Sequence, residues 1–152
     1  MAQLSPRLRA RLAQVPDIAR EAAARAMEEV AQEIVDEMKR LAPVLRTPDK
    51  RRSAGALRDS IGWTWGDVPA GSFVIDEIRS GKNKGDQYAT LRIRIYAGSK
   101  DAFYARFVEF GTKTGGPAQP FFFPVWKARR AEFRRRVRES VRRAIREAWD
   151  NG

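Results

Sequence analysis

Between Pro16 and Pro43 the apolar residues Ala23, Met27, Val30, Ile34, Met38 and Leu41 recur at steps of three and four. That period is the α-helical one, and it fixes a long helix with a single buried face. Asp17 is a suitable N-cap and Pro43 a stop, so the spacing predicts a helix from Asp17 to about Leu41. Glu28, Glu29, Glu33, Asp36 and Glu37 then form its solvated back. Near the other end, Phe133, Val137, Val141, Ala144, Ile145 and Ala148 repeat the pattern, predicting a second long helix from Val125 to Trp149. Two such faces must be buried against something, and 152 residues suffice for one domain with one core.

What lies between the helices reads as sheet. Ile61, Trp63 and Trp65 share one face of a first strand, and Phe73 to Ser80 is an apolar-rich second candidate. Tyr88 to Tyr96 alternates cleanly, with Leu91, Ile93 and Ile95 inward and Thr90, Arg92, Arg94 and Tyr96 outward. Phe103, Phe107 and Phe110 follow at helical spacing, as a short turn plugging the core and ended by Gly111. The expected fold class is α+β: one domain over residues 1–152, with an antiparallel β-sheet packed against a long N-terminal helix and a long basic C-terminal helix. Residues 1–16 form an N-terminal arm in this reading. The stretches 45–52 and 81–87 read as flexible loops carrying the cations Lys50, Arg51, Arg52, Lys82 and Lys84.

The chain has neither Cys nor His, which removes disulfides, thiolate zinc sites and the usual nucleophile–base pairs. Gly115-Gly116 lacks the Lys-Ser/Thr ending of a phosphate loop. Adjacent carboxylates such as Glu28-Glu29 and Asp76-Glu77 do not share a face for acid–base work. No enzyme activity and no cofactor are expected. The longest apolar run, Phe121 to Trp126, is far too short to span a bilayer, and no leader-like apolar segment follows Arg7, Arg9 and Arg11, so no membrane partner is expected.

Charge is the other constraint. The net charge is +11, and from Lys127 to Glu147 ten Lys or Arg stand against three Glu. Two readings stay open for this helix: arginines that pair with acidic surfaces such as the first helix, or a DNA-binding element whose affinity falls steeply with salt.

Tyr104-Ala105-Arg106-Phe107-Val108-Glu109-Phe110-Gly111-Thr112, followed by Pro120-Phe121-Phe122-Phe123-Pro124, resembles the signature of a phage family. Upstream stand Ala42-Pro43 and Gly55-Ala56-Leu57-Arg58-Asp59-Ser60-Ile61, in the family's order. The family is the tail-completion, tail-terminator or neck family of long-tailed double-stranded DNA phages, prophages and gene transfer agents, of the HK-phage gene-product-ten type. The likeness spans about Ala22 to Glu147. Ala54 stands where Thr is usual, Phe122 where Leu is usual, and Leu45 to Arg52 looks like an insertion.

The resemblance implies a structural virion protein, assembled in the bacterial cytoplasm, that forms a homo-oligomeric ring, commonly a hexamer. Such a ring caps the head-proximal end of the tail tube and joins it to the head connector. Its implied partners are further copies of itself, the tail tube protein and the connector or stopper protein, with a possible passing contact with DNA. The alternatives are another neck ring, and a DNA-binding module using the C-terminal helix. The expected contact residues are Arg58, Tyr104, Arg106 and Glu109, with Glu109 a candidate for an ion pair to Arg58 or Arg106 either inside the subunit or across the ring, together with Lys50, Arg51, Arg52, Lys82 and Lys84. Gly55, Leu57, Phe107, Phe110, Gly111, Thr112, Pro120, Phe121 and Pro124 are expected to build core and turns.

Overall fold

In the computed structural model, which describes residues 4–44, 55–75, 91–114 and 117–151, Ser5 opens the first helix, α1 (Pro6–Leu41). The Ser5 hydroxyl accepts the N–H of Leu8 and Pro6 occupies the first helical position, where its missing N–H costs nothing. The helix ends where Ala42 donates to the Met38 carbonyl at 2.9 Å, just before Pro43. The expected start at Asp17 is therefore corrected: α1 runs through Pro16 and absorbs most of the expected arm. Pro16 cannot donate to the Leu12 carbonyl, and an interior proline is normally destabilising. The helix continues because the second long helix lies alongside it and gives this stretch a partner to pack on.

That second helix, α4 (Phe123–Asn151), starts two residues earlier than its apolar pattern suggests and runs antiparallel to α1. The direction follows from the ion pairs: Arg129 meets Glu37, Arg136 meets Glu33 and Glu29, and Arg11 contacts the Trp149 carbonyl and lies over the Trp149 ring. Val125 and Phe133 are buried, whereas Val137, Val141, Ile145 and Ala148 are half-buried. The buried face of α1 carries Ala23, Met27, Val30, Ile34 and Met38, as its period predicts.

Between the helices lie α2 (Ala56–Asp59), β1 (Gly62–Thr64), β2 (Phe73–Ile75), β3 (Arg94–Ala97) and α3 (Ala105–Phe110). The strands form an antiparallel sheet in the order β1-β3-β2, with Trp63 opposite Ile95 and Val74 opposite Tyr96. The fold is a single α+β domain. Ile93, Ile95 and Ala97 point into the core while Arg94 and Tyr96 are half-exposed, so the predicted alternation holds through β3. A Cβ on Gly62 would lie 2.7 Å from the Tyr96 hydroxyl, so the glycine leaves room for the ring across the strand pair. The Trp63 and Trp65 indoles donate to Gln32 and Glu28 at 2.9 and 2.7 Å, fixing the sheet on the middle of α1.

The second and third strand candidates are described only as far as Ile75 and from Leu91 onward. Both expected loops, with Lys50, Arg51, Arg52, Lys82 and Lys84, lie outside the described residues, as do Gly115 and Gly116.

Candidate functional site

The motif residues assemble into one junction at which α2, α3 and the start of α4 meet. Gly55 opens α2 at φ +79°, a conformation that disfavours a side chain, and Leu57 and Ile61 anchor the segment in the core. The Ser60 hydroxyl donates to the Leu57 carbonyl at 2.6 Å and accepts the Gly98 N–H at 2.9 Å. One hydroxyl thus ties α2 to the turn that leads from β3 into α3. In that turn Ser99 accepts the Ala102 N–H at 3.0 Å, Ala102 is fully buried, and Tyr104 is buried with its ring edge-on to Phe103.

Glu109 is the centre of the junction. It is 4% exposed, and its carboxylate accepts three backbone N–H groups: Phe121 and Phe122 on Oε2 at 2.9 and 3.0 Å, and Phe123 on Oε1 at 2.9 Å. These donors lie at the N-terminus of α4, where the first turn of a helix has no internal acceptors and its dipole favours an anion. Gly111, at φ +81° and ψ 176°, returns its N–H to the Phe107 carbonyl, and Gln119 donates to Val108 at 2.7 Å. Pro120 and Pro124 flank the turn at the surface, with Pro124 in the first turn of α4 where proline is tolerated. Thr112 is exposed, with its hydroxyl 3.4 Å from that of Thr114.

Two expectations change here. Within the subunit Glu109 does not pair with Arg58 or Arg106: its carboxylate accepts backbone amides at the start of the next helix, while Arg58 pairs with Asp59 at 3.4 Å and Arg106 is exposed. Phe107 and Phe110 were expected in the core, and they are 53% and 62% exposed, with Phe103 at 50%. Phe107 and Phe110 lie on the outward side of α3 and Phe103 is exposed in the turn before it, while the face that turns inward carries Ala105 and Glu109. The reason is a close approach: a Cβ on Gly98 would lie 3.2 Å from that of Ala105, a gap too tight for phenylalanine. Phe121 is fully buried as expected.

The aromatic rings form a path from core to solvent. Phe122 lies edge-on to Phe73 at 4.9 Å, Phe73 stacks on Phe123 at 6.0 Å, and Phe110 meets Phe123 at 5.6 Å with its far side open. Elsewhere, Arg129 bonds Glu37 at 2.7 Å and Glu132 at 2.8 Å, and Arg136 bonds Glu33 and Glu29. The hydrogen bond from Arg136 holds the Glu33 carboxyl below the usual carboxylate range, and both guanidiniums are pushed up by their partners. Part of the basic helix is therefore neutralised by α1, as the pairing reading expects.

The model of one protein family, described as "Bacteriophage HK97-gp10, putative tail-component", matches residues 7–111, more than two thirds of the chain. The chain belongs to the HK97-gp10-like family. The match takes in α1, the Gly55–Ile61 segment, the sheet and α3, and it stops at Gly111, before the proline turn and α4. Membership makes this protein a structural component of a phage-type tail and so part of the virion. No curated protein and no solved structure matches the chain. Among the described residues, no helix is long and apolar enough to cross a membrane, and no cluster of acidic side chains has the makings of a metal site.

Proposed function

We propose that this family member is the tail-completion protein: copies of it close into a ring on the head-proximal end of the tail tube, stop its growth and join it to the head connector. It acts by contact alone, without catalysis. The observation that carries this reading is the ridge of Phe103, Phe107 and Phe110 inside the family-matched span. Phe107 and Phe110 on α3 and Phe103 in the turn before it, all half-exposed and continuous with the core aromatics through Phe110, make an apolar surface that calls for a partner. A ring needs a contact between two different surfaces that closes on itself, and the natural occupant of the ridge is the next copy. Arg106, exposed next to Phe107 on α3, puts a charge at its edge, and exposed Arg58 supplies a second contact.

The test is electron microscopy of particles lacking the gene, complemented with the wild type or with a Phe103→Ser, Phe107→Ser, Phe110→Ser variant. Without complementation, tails of irregular or excessive length beside full, unjoined heads support termination. Uniform tails lying free beside full heads move the protein to another neck ring, and normal joined particles overturn the reading. The folded triple variant should reproduce the deletion; normal particles would show that the ridge is not the contact.

A further inference from the structure

The fold sorts eight of the ten basic residues between Lys127 and Glu147 into two sets, with Arg143 and Arg146 outside both. Arg129 and Arg136 face α1 and are held by Glu37, Glu132, Glu33 and Glu29, while Arg135 lies 3.6 Å from Glu139. Lys127, Arg130, Arg134, Arg138 and Arg142 are all exposed and make no ion pair among the described residues. Their spacing of three and then four residues sets them in one row on the side of α4 away from α1, over about 22 Å of helix. Like charges at i,i+4 destabilise a helix, and nothing else in the described fold offsets the three consecutive arginine pairs of this row.

The chemistry of the row narrows its occupant. A second copy would bring a further +11 of its own, and the carboxylates of its α1 that face α4 are already engaged by Arg129 and Arg136. A polyanion meets the row without that repulsion. Its neighbours on the same face are Ala131, Val141 and Ile145. The one exposed ring of α4, Trp149 beyond the end of the row, already carries Arg11 over it, so the row offers no series of rings on which successive unpaired bases could stack. The neighbours also include no Asn or Gln to read base edges. We infer that the outer face of α4 is a track for the sugar–phosphate backbone of duplex DNA, bound without regard to sequence through Lys127, Arg130, Arg134, Arg138 and Arg142.

The test uses the purified full-length protein and a fluorescently labelled duplex of random sequence, read by anisotropy across a salt series. Five phosphate contacts predict a slope of about −4.5 in log K against log salt, or roughly a 500-fold loss of affinity between about 50 and 200 mM. The variant Arg130→Gln, Arg134→Gln, Arg138→Gln, Arg142→Gln should flatten the slope to about −1. A control with the same loss of charge, Arg25→Gln, Arg40→Gln, Lys100→Gln, Lys113→Gln, should keep the full slope. Circular dichroism checks the fold; should the fourfold variant not fold, the pairs Arg130/Arg134 and Arg138/Arg142 are replaced separately, each leaving a slope of about −2.7. Three results overturn the inference: no binding by the wild type at low salt, equal loss in both variants, or a row variant that binds DNA normally while its self-association by sedimentation changes. Because no tails are needed, failure here is distinct from failure of the ring reading.

Discussion

Replacing Glu109 by Gln tests the junction at its centre. The wild-type carboxylate satisfies three N–H groups, two of them on residues with no solvent exposure at all, so water cannot replace it. A Gln side chain offers one oxygen. If that oxygen keeps the Phe121 and Phe122 bonds, its NH2 group faces the Phe123 N–H, donor against donor. The variant loses one hydrogen bond outright and the charge from the other two. A hydrogen bond to a charged group contributes about 1.5–3 kcal/mol and a stranded buried donor costs about 1–3 kcal/mol. Part of the loss is returned because a neutral side chain is easier to bury, so a net destabilisation of roughly 2–3 kcal/mol is expected. For a domain of this size that lowers the thermal midpoint by roughly 4–12 °C. The assay is thermal unfolding followed at 222 nm, paired with hydrogen exchange at the amides of Phe121, Phe122 and Phe123. Exchange should accelerate about tenfold for every 1.4 kcal/mol of local protection lost, ahead of amides elsewhere in α4. Glu109→Asp, one methylene shorter, cannot span both Phe121 and Phe123 and should fall in the same range. A Gln variant that melts within a degree of wild type, with those amides equally protected, would refute the capping argument.

Two further outcomes follow from the same geometry. Gly111→Ala places a Cβ in a backbone region that only glycine visits readily, and should cost about 1–3 kcal/mol, read as a lower urea midpoint with an unchanged slope. An unchanged midpoint would mean that the turn relaxes at no cost. Glu33 is held below its ordinary value of 4.5 by its bond to Arg136, so its stabilising contribution is present above that value and is lost as the pH falls through the lowered folded value. The pair is about half exposed on the Glu33 side, so the contribution is about 0.3–1 kcal/mol. The stability gap between wild type and Glu33→Gln should therefore be measurable near neutral pH and close in acid; a gap of constant size would place the effect elsewhere.

The long-range architecture was legible in the sequence because periodicity reports burial directly. Met27, Val30, Ile34 and Met38 on α1, and Ile93 and Ile95 leading through β3, lie where their spacing puts them. Periodicity finds a face, though, without saying what covers it. Phe107 and Phe110 on α3, with Phe103 in the turn before it, point to solvent, because Ala105 is the residue small enough to approach Gly98. Pro16 reads locally as a break, and only a neighbouring helix more than a hundred residues away in the chain overrides it. The partners of Glu109 are main-chain amides, which every residue but proline has, so no pattern of side chains could point to them. Phe122, standing where a leucine is usual, keeps the core position of that residue.

Glu109 also has a mechanical consequence. It is the rivet between the short helix that carries the phenylalanine ridge and the root of α4, which extends about 43 Å from Phe123. Whatever takes hold of the ridge grips the short arm of a lever. A tilt of about 10° at this joint would carry the far end of α4 through about 7 Å for a helix of that length. Because α1 is clamped along the same helix by Arg129 and Arg136, the two would swing together as one stiff boom. The cation row lies along that boom, so in the proposed ring the pitch at which a partner seats on the ridge would also set the direction in which the row is aimed.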